Sequence, residues 1–178
     1  MAILKVARMG HPVLRTKAQP VGRAEVSSPA FQRLIDDMVE TMQEYRGVGL
    51  AAPQVHESLR LFVALLDTDD DKDGSPVAII NPEITPIGSE MADDWEGCLS
   101  IPDIRGRVPR ARHLVVRGLD RLGERIEIRA SDFPARVIQH ETDHLDGILF
   151  FDRMRGFDSL TFLDEFARYW AKGGDDED

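Results

Sequence analysis

His140-Glu141-Thr142-Asp143-His144 places two imidazoles and a carboxylate within one helical turn. Side chains four residues apart share a face of an α-helix, so the pattern requires a helix here, with His140 and His144 able to turn a ring nitrogen toward one divalent ion. Glu141 then stands beside water held by that ion, placed to take its proton as the water attacks a polarised carbonyl. A bare HExxH also arises by chance on a polar helix face, so its surroundings decide its meaning. The helix is predicted to begin near Pro134, a residue tolerated in a first turn, and to end by Gly147.

Two histidines do not complete a catalytic metal site, which usually has three protein ligands and one open position. The long HExxHxxGxxH pattern is followed as far as Gly147, but its last position is Phe150, which cannot bind a metal. The chain has one cysteine, Cys98, in Asp94-Trp95-Glu96-Gly97-Cys98-Leu99-Ser100. Its thiolate suits a borderline-soft ion beside two imidazoles. A lone cysteine is otherwise a small buried apolar residue, although the glycine and the polar neighbours here argue against that. A single cysteine also excludes an internal disulfide and fits a reducing compartment.

In Gly47-Val48-Gly49-Leu50-Ala51-Ala52-Pro53-Gln54 the small residues match the dinucleotide-binding fingerprint, but that motif must follow a strand and open a helix. Here a helical pattern precedes it. Gly47 is expected to cap that helix. The small residues let backbone approach a substrate closely, and Gln54 offers a neutral amide donor.

Together these segments resemble the peptide deformylases, which carry GxGLAAxQ, EGCLS and QHExDH in this order. They stand here as GVGLAAPQ, EGCLS and Gln139-His140-Glu141-Thr142-Asp143-His144, with Ile101-Pro102, Val108-Pro109-Arg110 and an early Gly10-His11-Pro12-Val13-Leu14-Arg15 extending the similarity across about residues 5–153. The resemblance implies Cys98, His140 and His144 as metal ligands and Glu141 as general base, then acid. It implies that the Gln54 amide and the Leu99 backbone N–H face the formyl oxygen; loss of one such donor costs about 2.7–4 kcal/mol of barrier. It also implies a substrate, the formyl-methionine end of a nascent polypeptide, with formate and a free amine as products. Val48, Gly49 and the helix face bearing Val137 would flank the methionine pocket. Two nitrogens and a thiolate suit Zn2+, Ni2+, Co2+ or Fe2+, and the resemblance implies Fe2+. A metallopeptidase acting on an internal amide and a non-catalytic metal-stabilised interaction module are the competing readings. Asp143 is a candidate to orient a ligand histidine, and Glu96 with Arg110 a candidate ion pair bracing the cysteine loop.

The remainder reads as an α+β scaffold: antiparallel strands around a central metal-binding HExxH helix, with an N-terminal helix and a C-terminal amphipathic helix. Across 28–45, Phe31, Leu34, Ile35, Met38 and Met42 follow helical spacing, with Ser28 as N-cap and Pro29 at the first helical position. Segments 61–66, 77–80 and 84–87 read as strands, and 114–119 with 125–130 as a hairpin in which Ile126, Ile128 and Ala130 point inward. Leu160, Leu163, Phe166, Ala167 and Trp170 mark the terminal helix. The 178 residues are expected to form one metallohydrolase domain, with a flexible acidic tail at 173–178.

Asp69-Asp70-Asp71-Lys72-Asp73-Gly74 copies the opening of a calcium-binding EF-hand loop, but its twelfth position is Ile80 in place of the bidentate Glu. A solvated acidic turn is expected. His11, His56 and His113 have no ligand spacing and are taken as structural or exposed. With 22 basic and 32 acidic residues the net charge is −10, which argues against direct nucleic-acid binding and leaves no basic C-terminal patch for ribosomal RNA. Ribosome proximity would then be transient. No stretch approaches the roughly 20 apolar residues of a membrane span, and no export or transit signal opens the chain, so a cytoplasmic location is expected.

Overall fold

The computed structural model describes residues 2–66 and 74–171. The acidic turn Asp69–Asp73 and the 173–178 tail lie outside the described residues.

Helix α1 (Arg23–Val26) is one turn, and α2 (Pro29–Glu44) is the long N-terminal helix. Ser28 caps α2, its Oγ accepting the Phe31 N–H at 3.2 Å, and Pro29 follows at the first helical position. Phe31, Ile35, Met38 and Met42 are buried along one stripe. The C-terminus differs from expectation. Arg46 takes the left-handed conformation (φ 54°), while Gly47 comes next and donates its N–H to Met42 O at 2.8 Å, closing a Schellman motif. Gly47 therefore completes the cap without adopting positive φ.

Strands β1 (Gly49–Ala51), β2 (Leu61–Leu65), β3 (Pro76–Pro86), β6 (His113–Leu119) and β7 (Arg125–Ser131) form an antiparallel sheet in the order β1-β2-β3-β6-β7. Its centre is buried on both faces. Phe62 and Ala64 pack with Ala135, Val137 and Ile138 of α3 (Asp132–Leu145), whereas Leu61 and Val63 pack with Ile35, Met38 and Met42 of α2. That two-sided burial is why 61–66 is an unbroken apolar run instead of an alternating one.

The expected strands at 77–80 and 84–87 are one strand, β3, ending at Pro86. The interruption at Asn81-Pro82 is a bulge: the register shifts between Ile80 and Glu83, and Asn81 has φ 51°. The Asn81 amide compensates by exchanging two hydrogen bonds of 2.9 Å with the Val21 backbone. The hairpin β6–β7 is as expected; Ala130 is buried, and Ile126 and Ile128 pack partly buried against the α3 cluster.

A second sheet, absent from the sequence-based expectation, contains β4 (Met91–Cys98), β5 (Ile101–Ala111) and the two-residue β8 (Thr161–Phe162). The terminal helix is short: α4 (Leu163–Tyr169) starts only after β8 and has no buried residue. Helix α3 starts at Asp132, two residues before Pro134, and Gly147 follows it with φ 73°. It touches all five strands of the large sheet and β5 of the small one. No helix among the described residues is long and apolar enough to cross a membrane.

Replacing Ser28 with Ala leaves the Phe31 N–H without its cap. The expected cost is about 1 kcal/mol, read as a Tm lowered by about 2–4 °C for a chain of this size.

Candidate active site

The β4–β5 turn and one face of α3 converge. Sγ of Cys98 and a ring nitrogen from each of His140 and His144 all lie within 4.8 Å of one another, and the thiol sulfur is 3.2 Å from His144 Nε2. The two sides come from residues 46 apart in sequence, so the folded seam assembles the set. His140 Nδ1 is 2.9 Å from Glu96 Oε2, which fixes this nitrogen as the donor and leaves Nε2 for the cluster. This donor set, one sulfur and two imidazoles, fits a single borderline-soft divalent ion.

Glu96 is the hub of the surroundings. Arg110 forks onto it, Nε to Oε1 at 2.9 Å and Nη2 to Oε2 at 3.0 Å, and Arg136 adds a hydrogen bond of 2.8 Å. All three side chains are buried. Burial opposes ionisation of Glu96, but the hydrogen bonds from His140 and Arg110 outweigh it and hold the carboxyl well below the usual carboxylate range. The expected Glu96–Arg110 pair is therefore present, buried instead of decorative. Asp143 is buried, and the side-chain hydrogen bonds it accepts come from arginines, Arg110 Nη1 at 2.5 Å and Arg153 Nη2 at 2.7 Å. Glu96 orients His140, and Asp143 steadies Arg110.

Glu141 is 4% exposed, and its Oε2 has no hydrogen-bond partner among the described residues. Burial pushes its carboxyl up to about 7. The carboxylate lies over the backbone of Gly49: a Cβ there would collide with Oε1 and stand 2.8 Å from Cδ. Gly49 is thus the residue that admits Glu141. Burial also lowers the His144 pKa well below the ordinary value.

Gln54 stands in a 3-10 turn over Ala52–Val55, with its Oε1 accepting the Ala51 N–H at 2.8 Å. Its Nε2 is thereby aimed at Ser100 Oγ (3.2 Å) and Cys98 Sγ (3.5 Å). Leu99 forms the β4–β5 turn with Ser100, and its side chain reaches Gly47, where a Cβ would stand 2.9 Å from Cδ1. Val48, Gly49, Gln54, Cys98, Leu99 and Glu141 line one cleft of about 890 Å³, which Val137 also lines.

Three contributors were missed in the sequence, Arg136, Ser100 and Arg153. Arg136 lies four residues before His140, on the same helix face, and that spacing is a usable signal. Ser100 belongs to the cysteine motif but gained no role from it. Away from the cleft, the rings of His11 and His56 meet at 4.7 Å, and His113 Nδ1 lies 2.8 Å from Ser131 Oγ, so all three have structural partners.

The family model described as "Polypeptide deformylase" matches residues 3–159. The chain belongs to this family. Peptide deformylase 1 of Bordetella pertussis is 46% identical over 154 residues, 84% of this chain and 86% of the relative. Among solved structures, a peptide deformylase from Acinetobacter baumannii bound to Met-Ala-Ser superposes with a TM-score of 0.79 at 43% identity, covering 86% of this chain and 99% of that one. The peptide deformylase of Thermotoga maritima gives 0.79 at 40% identity, covering 88% and 100%. Both share the α+β arrangement of antiparallel sheets and helices. As a peptide deformylase the chain is a metal-dependent hydrolase that removes the formyl group from N-formylmethionine at the start of nascent polypeptides. Family membership thus selects deformylation over the peptidase and interaction-module readings.

A Gly49→Ala peptide deformylase must shift the Glu141 carboxylate. Formate release from formyl-Met peptides is expected to fall about 100-fold, the usual scale for a misplacement near 1 Å, while the far-UV circular dichroism spectrum is unchanged.

Proposed function

We propose that Cys98, His140 and His144 hold the single catalytic ion, physiologically Fe2+, and that Zn2+, Ni2+ or Co2+ can occupy the same donors. The observation that carries this is the meeting of three donor atoms within 4.8 Å, beside a buried carboxylate on the same cleft. When bound, the ion supplies Lewis acidity, activating water as a nucleophile and polarising the formyl carbonyl.

The protein's own groups do the rest. Glu141, the next residue on α3 after His140, accepts the proton of the water that adds to the formyl carbon. It returns that proton to the nitrogen as the C–N bond breaks, giving formate and a free amine. The Gln54 amide, held in place by the Ala51 N–H, and the Leu99 backbone N–H donate to the oxygen on which negative charge develops. Val48, Gly49 and Val137 flank the methionine side chain, and α3 is the central element from which the HExxH side chains act. The Met-Ala-Ser bound to the Acinetobacter relative supports a cleft that also receives residues beyond the methionine.

The same reading makes the chain one hydrolase domain acting in the cytoplasm, where formylated chains are synthesised. The net charge of −10 supports an encounter with the nascent chain that is transient and made without binding ribosomal RNA.

Glu141→Ala tests the assignment. Formate release is expected to drop about 10²–10⁴-fold, the usual contribution of general acid–base catalysis, with metal content by elemental analysis unchanged; full activity in a metal-replete variant would remove Glu141 from the chemistry. Ferrous iron beside a thiolate is open to oxidation. Aerobic storage should therefore inactivate the iron-loaded enzyme and spare the same chain loaded with nickel, as followed by formate release over hours.

A further inference from the structure

The family match ends at residue 159, yet the chain then folds back onto the cleft. Strand β8 pairs with β5 through Phe162 opposite Ile104 and Thr161 opposite Arg105, and α4 follows directly. Just before it, Ser159 Oγ accepts the Arg107 N–H at 3.0 Å. Leu163 and Phe166 of α4 line the same cleft as Cys98, Gln54 and Glu141. Trp95 of β4 clamps the helix, its ring meeting Phe166 at 5.0 Å and Trp170 at 5.7 Å.

This element is not a core element. None of its helical residues is buried, Leu163 is 39% exposed, and Phe133 on the α3 side of the cleft is 56% exposed. A helix of this length has almost no stability of its own in water, so its position depends on β8 and Trp95. What it adds to the molecule is a cleft wall: Trp95, Phe133, Leu163 and Phe166 present apolar surface to the cavity that Cys98, Gln54 and Glu141 also line. A rimmed apolar surface continuous with an active site is a surface a ligand covers. The substrate is a polypeptide running on from the formylated methionine, so the next residues must leave along this cleft.

We infer that β8 and α4 form a specificity wall that receives apolar or aromatic side chains in the residues following the substrate's methionine, with Phe166 and Trp95 as its main contact surface. The inference rests on the deformylase site proposed above and concerns only what binds beyond the reacting group. Apolar pockets of this kind discriminate through contact area.

The test uses the metal-loaded full chain with formyl-Met-Leu-Phe, formyl-Met-Ser-Ser and formyl-Met amide. Phe166→Ala is expected to raise KM for formyl-Met-Leu-Phe about tenfold, to keep kcat, and to move KM for the other two substrates less than about twofold. Phe166→Leu is expected to restore most of the loss. Leu163→Ser probes the same wall from a side chain outside the ring cluster and should shift selectivity in the same direction. A uniform change across all three substrates, or no change in any, overturns the wall. Native chain that releases no formate from any of them overturns the site reading instead, which separates the two failures.

Discussion

The arrangement depends on one buried carboxylate. Glu96 receives Arg110 from β5, Arg136 from α3 and His140 from the next turn of the same helix. Arg136 also reaches the carbonyls of Ala92 and Val108, at 2.7 Å each, so the small sheet is tied to α3 through charge and backbone together. Without that tie nothing obliges Cys98, on the same strand as Glu96, to meet the histidines. Buried ion pairs of this kind give little net stability against an apolar replacement, but removing one partner strands the others at roughly 3–5 kcal/mol. Their value here is registration: two carboxylates, Glu96 and Asp143, engage Arg110, Arg136 and Arg153 in one geometry.

The chemistry was more legible in the sequence than the frame that assembles it. Apolar spacing identified α2 because its buried Phe31, Ile35, Met38 and Met42 repeat at the helical period, the i, i+4 histidine pair identified the HExxH helix, and branched apolar runs identified β2 and the β6–β7 hairpin. Strands β4 and β5 gave no such signal. Met91–Cys98 is acidic and its one buried residue is the charged Glu96, and Ile101–Ala111 contains Pro102 and Pro109, so neither alternates cleanly between apolar and polar residues. Their pairing is held by Arg110 and Arg136, interactions between residues far apart in sequence that periodicity cannot register. The break at Asn81-Pro82 misled for a related reason: a bulge stabilised by contacts to Val21 is locally indistinguishable from a strand end.

Of the candidate site, the proposed donors and the proposed general base could be read from motif spacing, whereas the side chains that support them could not. Gly49 was legible as a small residue near substrate, but its steric relation to Glu141 exists only once β1 lies against α3. Gly97 is a parallel case. A Cβ there would run into the Arg105 guanidinium, so the glycine beside the thiol makes room for a side chain of the facing strand. Asp143 was a candidate to orient a histidine, and its arginine partners could not be foreseen because helix geometry says which face a residue occupies, not which cation arrives from another element.

Two kinds of cohesion meet in this molecule. The large sheet is gripped between helices by apolar burial, a force that weakens on cooling, while β4 is bound to α3 by guanidinium bridges. Loss of catalytic competence and loss of the sandwich are consequently separable events. A perturbation that slackens the bridges can silence the enzyme while its hydrophobic half stays intact, and inactivation on its own is then no measure of unfolding.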